Sequence, residues 1–237
     1  MWHQLWDVAF SASSALLAIF FGAALGNLVR GLPLDEKGEF FEPLWTDFRV
    51  GDVTGILDWY TLLVGITATI ALLIHGALWL VYKTAGDICQ RSRQIVTRLW
   101  PLLVALTLAT TLASGVVQPQ LALNMGRYPV GTVCPLLALA GLVGMRAFLN
   151  SSPKRAFLAS GAFVLGLITS AAFAIFPSAL PARILGRELS VAAAAAQSST
   201  LTGMLCWWLP GMLVAVAYSY FIYARIPKTF TTGGDEH

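Results

Sequence analysis

Charged residues are scarce in this chain. Asp, Glu, Lys and Arg make up 11% of its 237 residues, where a water-soluble domain carries about 25%. That deficit excludes an ordinary soluble fold. The small net charge of +3 gives no basis for binding nucleic acid, so its meaning lies in its distribution. Cysteine is equally sparse. Cys89, Cys134 and Cys206 form no CxxC and have no metal-ligand spacing. Cys134 and Cys206 read as small core residues, and Cys89, beside a basic stretch, as a reduced thiol. Histidine is limited to His3, His75 and His237. No P-loop, GxGxxG, Ser–His–Asp, Cys–His or paired-Glu arrangement is present, and no basic n-region marks a secretory leader, since Asp7 stands where Lys or Arg would be expected.

Apolar sequence is plentiful. The chain is 57% hydrophobic with a mean hydropathy of +0.72. A helical span needs about 20 apolar residues, and six stretches qualify: 8–29, 56–82, 99–117, 130–149, 156–176 and 200–223. Hydrocarbon offers no partner to a backbone amide, so each span must be helical. The expected fold is all-α: a polytopic integral membrane protein of about six transmembrane helices in one bundle, forming a single membrane domain over 1–237.

The loops set the direction of insertion. Lys83, Arg91, Arg93, Arg98, Arg146, Lys154, Arg155, Arg225 and Lys228 fall on one side, against Arg30, Lys37, Arg49, Arg127, Arg183 and Arg187 on the other. The second side also collects Asp35, Glu36, Glu39, Glu42, Asp47 and Asp52. The positive-inside rule then puts both termini in the cytoplasm. Gly22 and Gly26 form a GxxxG that lets another helix approach closely. Pro210 is expected to kink the last span, and the alanine run Ala192–Ala196 reads as a short surface helix. Trp6, Trp45, Trp59, Trp79, Trp100 and Tyr223 fall near the expected water interfaces.

Few residues could carry chemistry. A bis-histidine haem needs a second histidine at membrane depth, and only His75 lies in a span. Met125 and Met204 read as packing rather than as iron ligands. No catalytic, cofactor-binding or metal-binding residue is assigned. His75 has two readings, a neutral imidazole satisfied by a neighbouring helix and a proton relay or cofactor contact. Asp58, just before Trp59 and Tyr60, reads as a helix N-cap, with a proton-pathway role as the alternative. A cap role is expected for Asp7 as well. Arg91 and Arg93 read as orienting residues that meet lipid phosphate.

Three blocks carry a resemblance. The first holds Trp6, Asp7 and Phe10, then Gly22, Ala23, Ala24, Leu25 and Gly26, then Gly31, Leu32 and Pro33. The second holds Gly76 and Ala77, then Lys83, Thr84, Ala85, Gly86 and Asp87, followed by Arg91. The third holds Phe176, Pro177 and Pro181, then Gln197, Ser198, Ser199, Thr200 and Leu201, with Pro210 and Tyr218. In this order and spacing the chain resembles subunit II of the cytochrome bd-type quinol oxidases. It resembles the C-terminal two-thirds of that subunit, without its N-terminal spans, so the acids that the family places there for proton conduction cannot be carried over. Asp58, Trp59 and Tyr60 replace an Asn-Pro-Phe-like opening.

The resemblance implies a non-haem subunit that scaffolds a haem-bearing subunit I, with haems b and d on that partner. The complex would sit in a bacterial-type cytoplasmic membrane, oxidise quinol and reduce dioxygen in aerobic respiration. It also implies a structural quinone or lipid, and a separate N-terminal half-subunit is a further expected partner. A small transporter or channel, and a non-redox membrane assembly protein, remain as alternatives from the residues alone.

Overall fold

The computed structural model describes residues 2–35, 37, 39, 41–51, 55–184 and 186–225. Glu36, Asp52, Lys228 and His237 lie outside them, as do the side chains of His3 and Met125. The long helices are α1 (Trp2–Arg30), α2 (Trp59–Lys83), α3 (Gly86–Val117), α6 (Pro153–Ile175) and α8 (Ser198–Arg225). Each is long and apolar enough to cross a bilayer. Between them stand α4 (Gln120–Arg127), a 3₁₀ turn (Pro129–Thr132), α5 (Val133–Phe148) and the short α7 (Val191–Ala194). At 16 residues, α5 rises about 24 Å, short of the roughly 30 Å hydrocarbon core. The 3₁₀ turn that runs into it supplies the remaining length, so about six crossings stand.

The helix limits follow local chemistry. Asp58 starts α2 with a capping box: its carboxylate accepts from the Thr61 amide, and the Thr61 hydroxyl accepts from the Asp58 amide. α2 ends at Thr84, and Gly86 takes a φ of +68°, a value that favours glycine. Two residues therefore separate α2 from α3, and Arg91, Arg93 and Arg98 stand on a helix rather than in a loop. The apolar run that defines a span begins near Leu99, yet the helix continues through polar sequence to Gly86, because backbone bonding does not stop at the membrane surface. Asp7 is also corrected. It lies inside α1, more than a turn from Trp2, and caps nothing.

α2 is the most buried of the long helices, and it packs on α1, α3 and α6. Lipid tails are as apolar as leucine, so close packing and polar contacts must hold such helices together. Glycine sets the distances. A Cβ on Gly22 would lie 2.7 Å from Gly65 Cα, and one on Gly65 would lie 2.7 Å from Ile19 O. The GxxxG of α1 thus receives α2. The same device joins α5 to α6, where a Cβ on Gly141 would lie 2.5 Å from Phe163 N and one on Gly166 would lie 2.5 Å from Ala138 N. The main core combines Ile74, Leu78, Val96, Leu103, Met145 and Phe163 from four helices.

At one end the chain is tied by strands. β1 (Ser178–Leu180) pairs antiparallel with β2 (Leu189–Ser190), and Leu32 bridges Ala182. The surface helix expected over Ala192–Ala196 is α7, capped by Ser190. α8 stands apart. All of its residues are exposed, including Cys206; the reading of Cys206 as a core residue is overturned because its helix has no bundle around it.

Candidate functional site, a buried ion cluster and a half-buried histidine

The strongest polar feature is where α1 ends and α2 begins. Arg30, the last residue of α1, has a side chain 0% exposed. Its Nη1 donates to Gly55 O at 3.1 Å and to Asp58 Oδ2, and its Nη2 donates to Glu42 Oε1 at 2.6 Å. The Asp58 and Glu42 side chains are 1% and 3% exposed. Asn27, one turn earlier, donates to Ile56 O at 2.8 Å. Arg30 Nε and Asn27 Oδ1 have no hydrogen-bond partner among the described residues. Two carboxylates against one guanidinium form a strongly desolvated cluster, a position where ionic groups persist only when paired.

Asp58 therefore does two things. It caps α2 through Oδ1 and anchors Arg30 through Oδ2. The sequence pattern marks Arg30 only as a loop cation and gives no hint of this role. Its partners lie 12 and 28 residues away, so no local pattern could reveal them.

A file of hydroxyls continues inward from this cluster between α2 and α3. The Tyr60 hydroxyl lies 2.7 Å from Ser114 Oγ, and Thr67 Oγ1 lies 2.9 Å from Thr110 Oγ1. Ser114 donates its single proton to Thr110 O at 2.7 Å, so Tyr60 must donate to Ser114. Thr67 likewise donates to Leu63 O at 2.7 Å, so Thr110 donates to Thr67. Each sequence of donors ends on a backbone carbonyl. The file binds α2 to α3 and is no continuous relay.

His75 lies deeper, half-buried on the α6 side of α2. Its Nδ1 is 2.7 Å from Ser160 Oγ, and its ring stacks on Phe157 with centroids 4.7 Å apart. Ser160 donates its proton to Phe157 O at 2.6 Å. Ser160 must therefore accept from His75 Nδ1–H, which leaves Nε2 of the neutral ring as an acceptor. Trp79 and Tyr82 continue the aromatic wall, and Lys83 Nζ sits 5.4 and 5.0 Å from their ring centroids.

Asp58 and His75 are not brought together. Several turns of α2 separate them, and they face different helices. The described spans offer one histidine, and no group of three or more His, Cys, Asp or Glu side chains converges among the described residues. Arg93, expected at lipid phosphate, instead donates to Leu149 O at 2.7 Å and Asn150 Oδ1 at 3.1 Å. It locks α3 to the end of α5.

Comparison with known proteins gives these features a context. The chain is 26% identical over 252 residues to the probable cytochrome oxidase subunit 2 of Haemophilus influenzae, across 95% of this chain and 65% of that protein. It is 25% identical over 260 residues to the cytochrome bd-I ubiquinol oxidase subunit 2 of Escherichia coli K12, across 96% of this chain and 67% of that one. A shorter match of 109 residues at 24% identity reaches the cytochrome bd ubiquinol oxidase subunit 2 of Bacillus subtilis, covering 46% of this chain and 29% of that protein. The chain thus spans about two-thirds of the length of the first two relatives. The family profile described as cytochrome bd terminal oxidase subunit II matches residues 1–226, and with nearly the whole length accounted for, the chain belongs to that family.

Proposed function

We propose that this chain is a haem-free membrane subunit of a quinol:dioxygen oxidoreductase and scaffolds a haem-bearing subunit I. The observation that carries this reading is the family match across 1–226. The relatives named as ubiquinol oxidase subunits support the substrate. The residue inventory supports the division of labour, because one span histidine supplies at most one axial ligand. Haems b and d then reside on the partner, and this chain supplies surface. Much of that surface is apolar and open, on the first half of α1, on α3 and on α8. A structural quinone or lipid is a further partner in this reading. The complex works in a bacterial-type cytoplasmic membrane with both chain termini inside.

Asp58 then serves as an anchor for the outer ends of α1 and α2, and His75 as a polar contact at a helix interface. The test is affinity purification of the tagged chain from its native membrane. A coloured complex with a haem-bearing partner and quinol-dependent oxygen uptake is expected. A colourless homo-oligomer that moves a solute, or a Soret band on the isolated chain, would overturn the assignment.

A further inference from the structure

α8 meets the bundle through a ring contact, Tyr223 against Trp79 of α2, with centroids 5.9 Å apart and planes at 87°. The two helices run in the same direction. Arg30 joins the end of α1 to the start of α2, and Leu32 bridges Ala182, which lies between α6 and α8. α8 therefore begins at the end where α2 begins, and Tyr223 reaches Trp79 near the other end of both.

In a parallel helix pair, residues four and seven positions before a contact on each helix form the next layers of the seam. From Trp79 and Tyr223, the next layers are His75 with Ser219, then Leu72 with Val216. The first of these is chemically complementary. His75 presents Nε2 as an acceptor, since Nδ1 is committed to Ser160. Ser219 carries a hydroxyl that makes no side-chain hydrogen bond among the described residues, whereas Thr67, Thr69 and Thr84 all bond back four residues within α2 or at its end. The face of α2 next to His75 is open: a Cβ on Gly76 would meet nothing within 4 Å. Leu72 and Val216 are 48% and 61% exposed.

We propose that α8 closes onto α2 along this seam, hinged at Trp79 and Tyr223, with Ser219 donating to His75 Nε2. In hydrocarbon an acceptor without a donor is costly, and a serine hydroxyl on a facing helix is the kind of group that satisfies it. The closure is intramolecular and holds whichever oxidase partner the chain takes.

Cysteine cross-linking in native membranes tests it. Cys89, Cys134 and Cys206 are first replaced by alanine in the full chain. One variant then carries Leu72→Cys with Val216→Cys, and the hinge control carries Trp79→Cys with Tyr223→Cys. The first pair is expected to form a disulfide on oxidation, and the second, placed where two large rings meet, to be joined by a short bis-maleimide. A hinge pair that cross-links while Leu72→Cys/Val216→Cys does not would overturn the closure. Failure of both pairs would overturn it too. Because Leu72 and Val216 are exposed, their replacement leaves the folded core intact. Ser219→Ala is expected to slow the Leu72→Cys/Val216→Cys cross-link about threefold, the average worth of one interhelical hydrogen bond in a bilayer. It should leave the hinge pair unchanged, and adding His75→Leu should cause no further loss. An unchanged rate in Ser219→Ala would overturn the donor assignment.

Discussion

At Asp58 two interactions of different size share one carboxylate. The capping bond to Thr61 is worth about 1 kcal/mol. Breaking a buried ion pair by removing one member costs about 3–5 kcal/mol, because the other charge is left unpaired. Glu42 still holds Arg30 when Asp58 is changed, so the lower end of that range applies. Asparagine is as good a cap as aspartate but carries no charge. Asp58→Asn should therefore lose about 3 kcal/mol in an unfolding titration of the purified chain, and Asp58→Ala about 1 kcal/mol more. An Asp58→Asn variant as stable as the parent would reduce Asp58 to a cap alone. Arg30→Met should be worse than either, since it removes the guanidinium that both carboxylates share. Adding Asp58→Asn and Glu42→Gln to Arg30→Met should recover part of the loss by removing those charges. The cap was legible in the sequence, as an acid directly before two aromatics and an apolar run. The ion pair was not, because hydropathy ends the span at Arg30 and assigns the next residues to a loop.

Between elements, packing depends on where a side chain is missing. Gly141 and Gly166 place the backbones of α5 and α6 in direct contact, with imposed Cβ atoms only 2.5 Å from backbone nitrogen. Backbone cannot rotate aside as a flexible side chain can. Gly166→Val should therefore force α5 and α6 apart and cost at least the 1–3 kcal/mol typical of overpacking. Gly161→Ala, on the same helix but with its nearest neighbour at 4.0 Å, should be neutral. Thermal unfolding of the two variants side by side checks the contrast, and equal loss in both would mean that the close α5–α6 approach at Gly166 does not decide the outcome. Of these close approaches only Gly22 with Gly26 was legible, because its four-residue spacing is a known pattern. Gly141 and Gly166 sit on two different helices, and their pairing exists only once those helices are packed. Helix ends were similarly half legible. The apolar run located the membrane part of α3 but not its polar first turns, where Arg93 reaches Leu149 and Asn150.

For the whole molecule, hydropathy revealed a helical membrane bundle because length and composition alone decide that class. The splayed position of α8 carried no such signal, since its apolar residues read the same whether they face lipid or protein. Insertion direction lies between these cases. Counted along the sequence, nine cations oppose six, a modest bias. Two contacts in the structure bear on how those cations are grouped. Arg30 is sealed against Asp58 and Glu42, so it no longer acts as a free cation on the poorer side. Arg93 is joined to Asn150, which gathers the start of α3 and the α5–α6 turn, with Lys154 and Arg155, at one end of the bundle. The other end holds Arg30, Asp58 and the Leu32–Ala182 bridge. Positive residues near short loops stay in the cytoplasm, so the Lys154 end should face inward and the Asp47 loop outward. In cysteine-free chains, Asp47→Cys should react with a membrane-impermeant maleimide in intact spheroplasts, and Lys154→Cys only after permeabilisation. The reverse pattern would invert the molecule and place the Arg30 cluster at the cytoplasmic surface, turning Asp58 from an outer anchor into a group within reach of the proton-donating side.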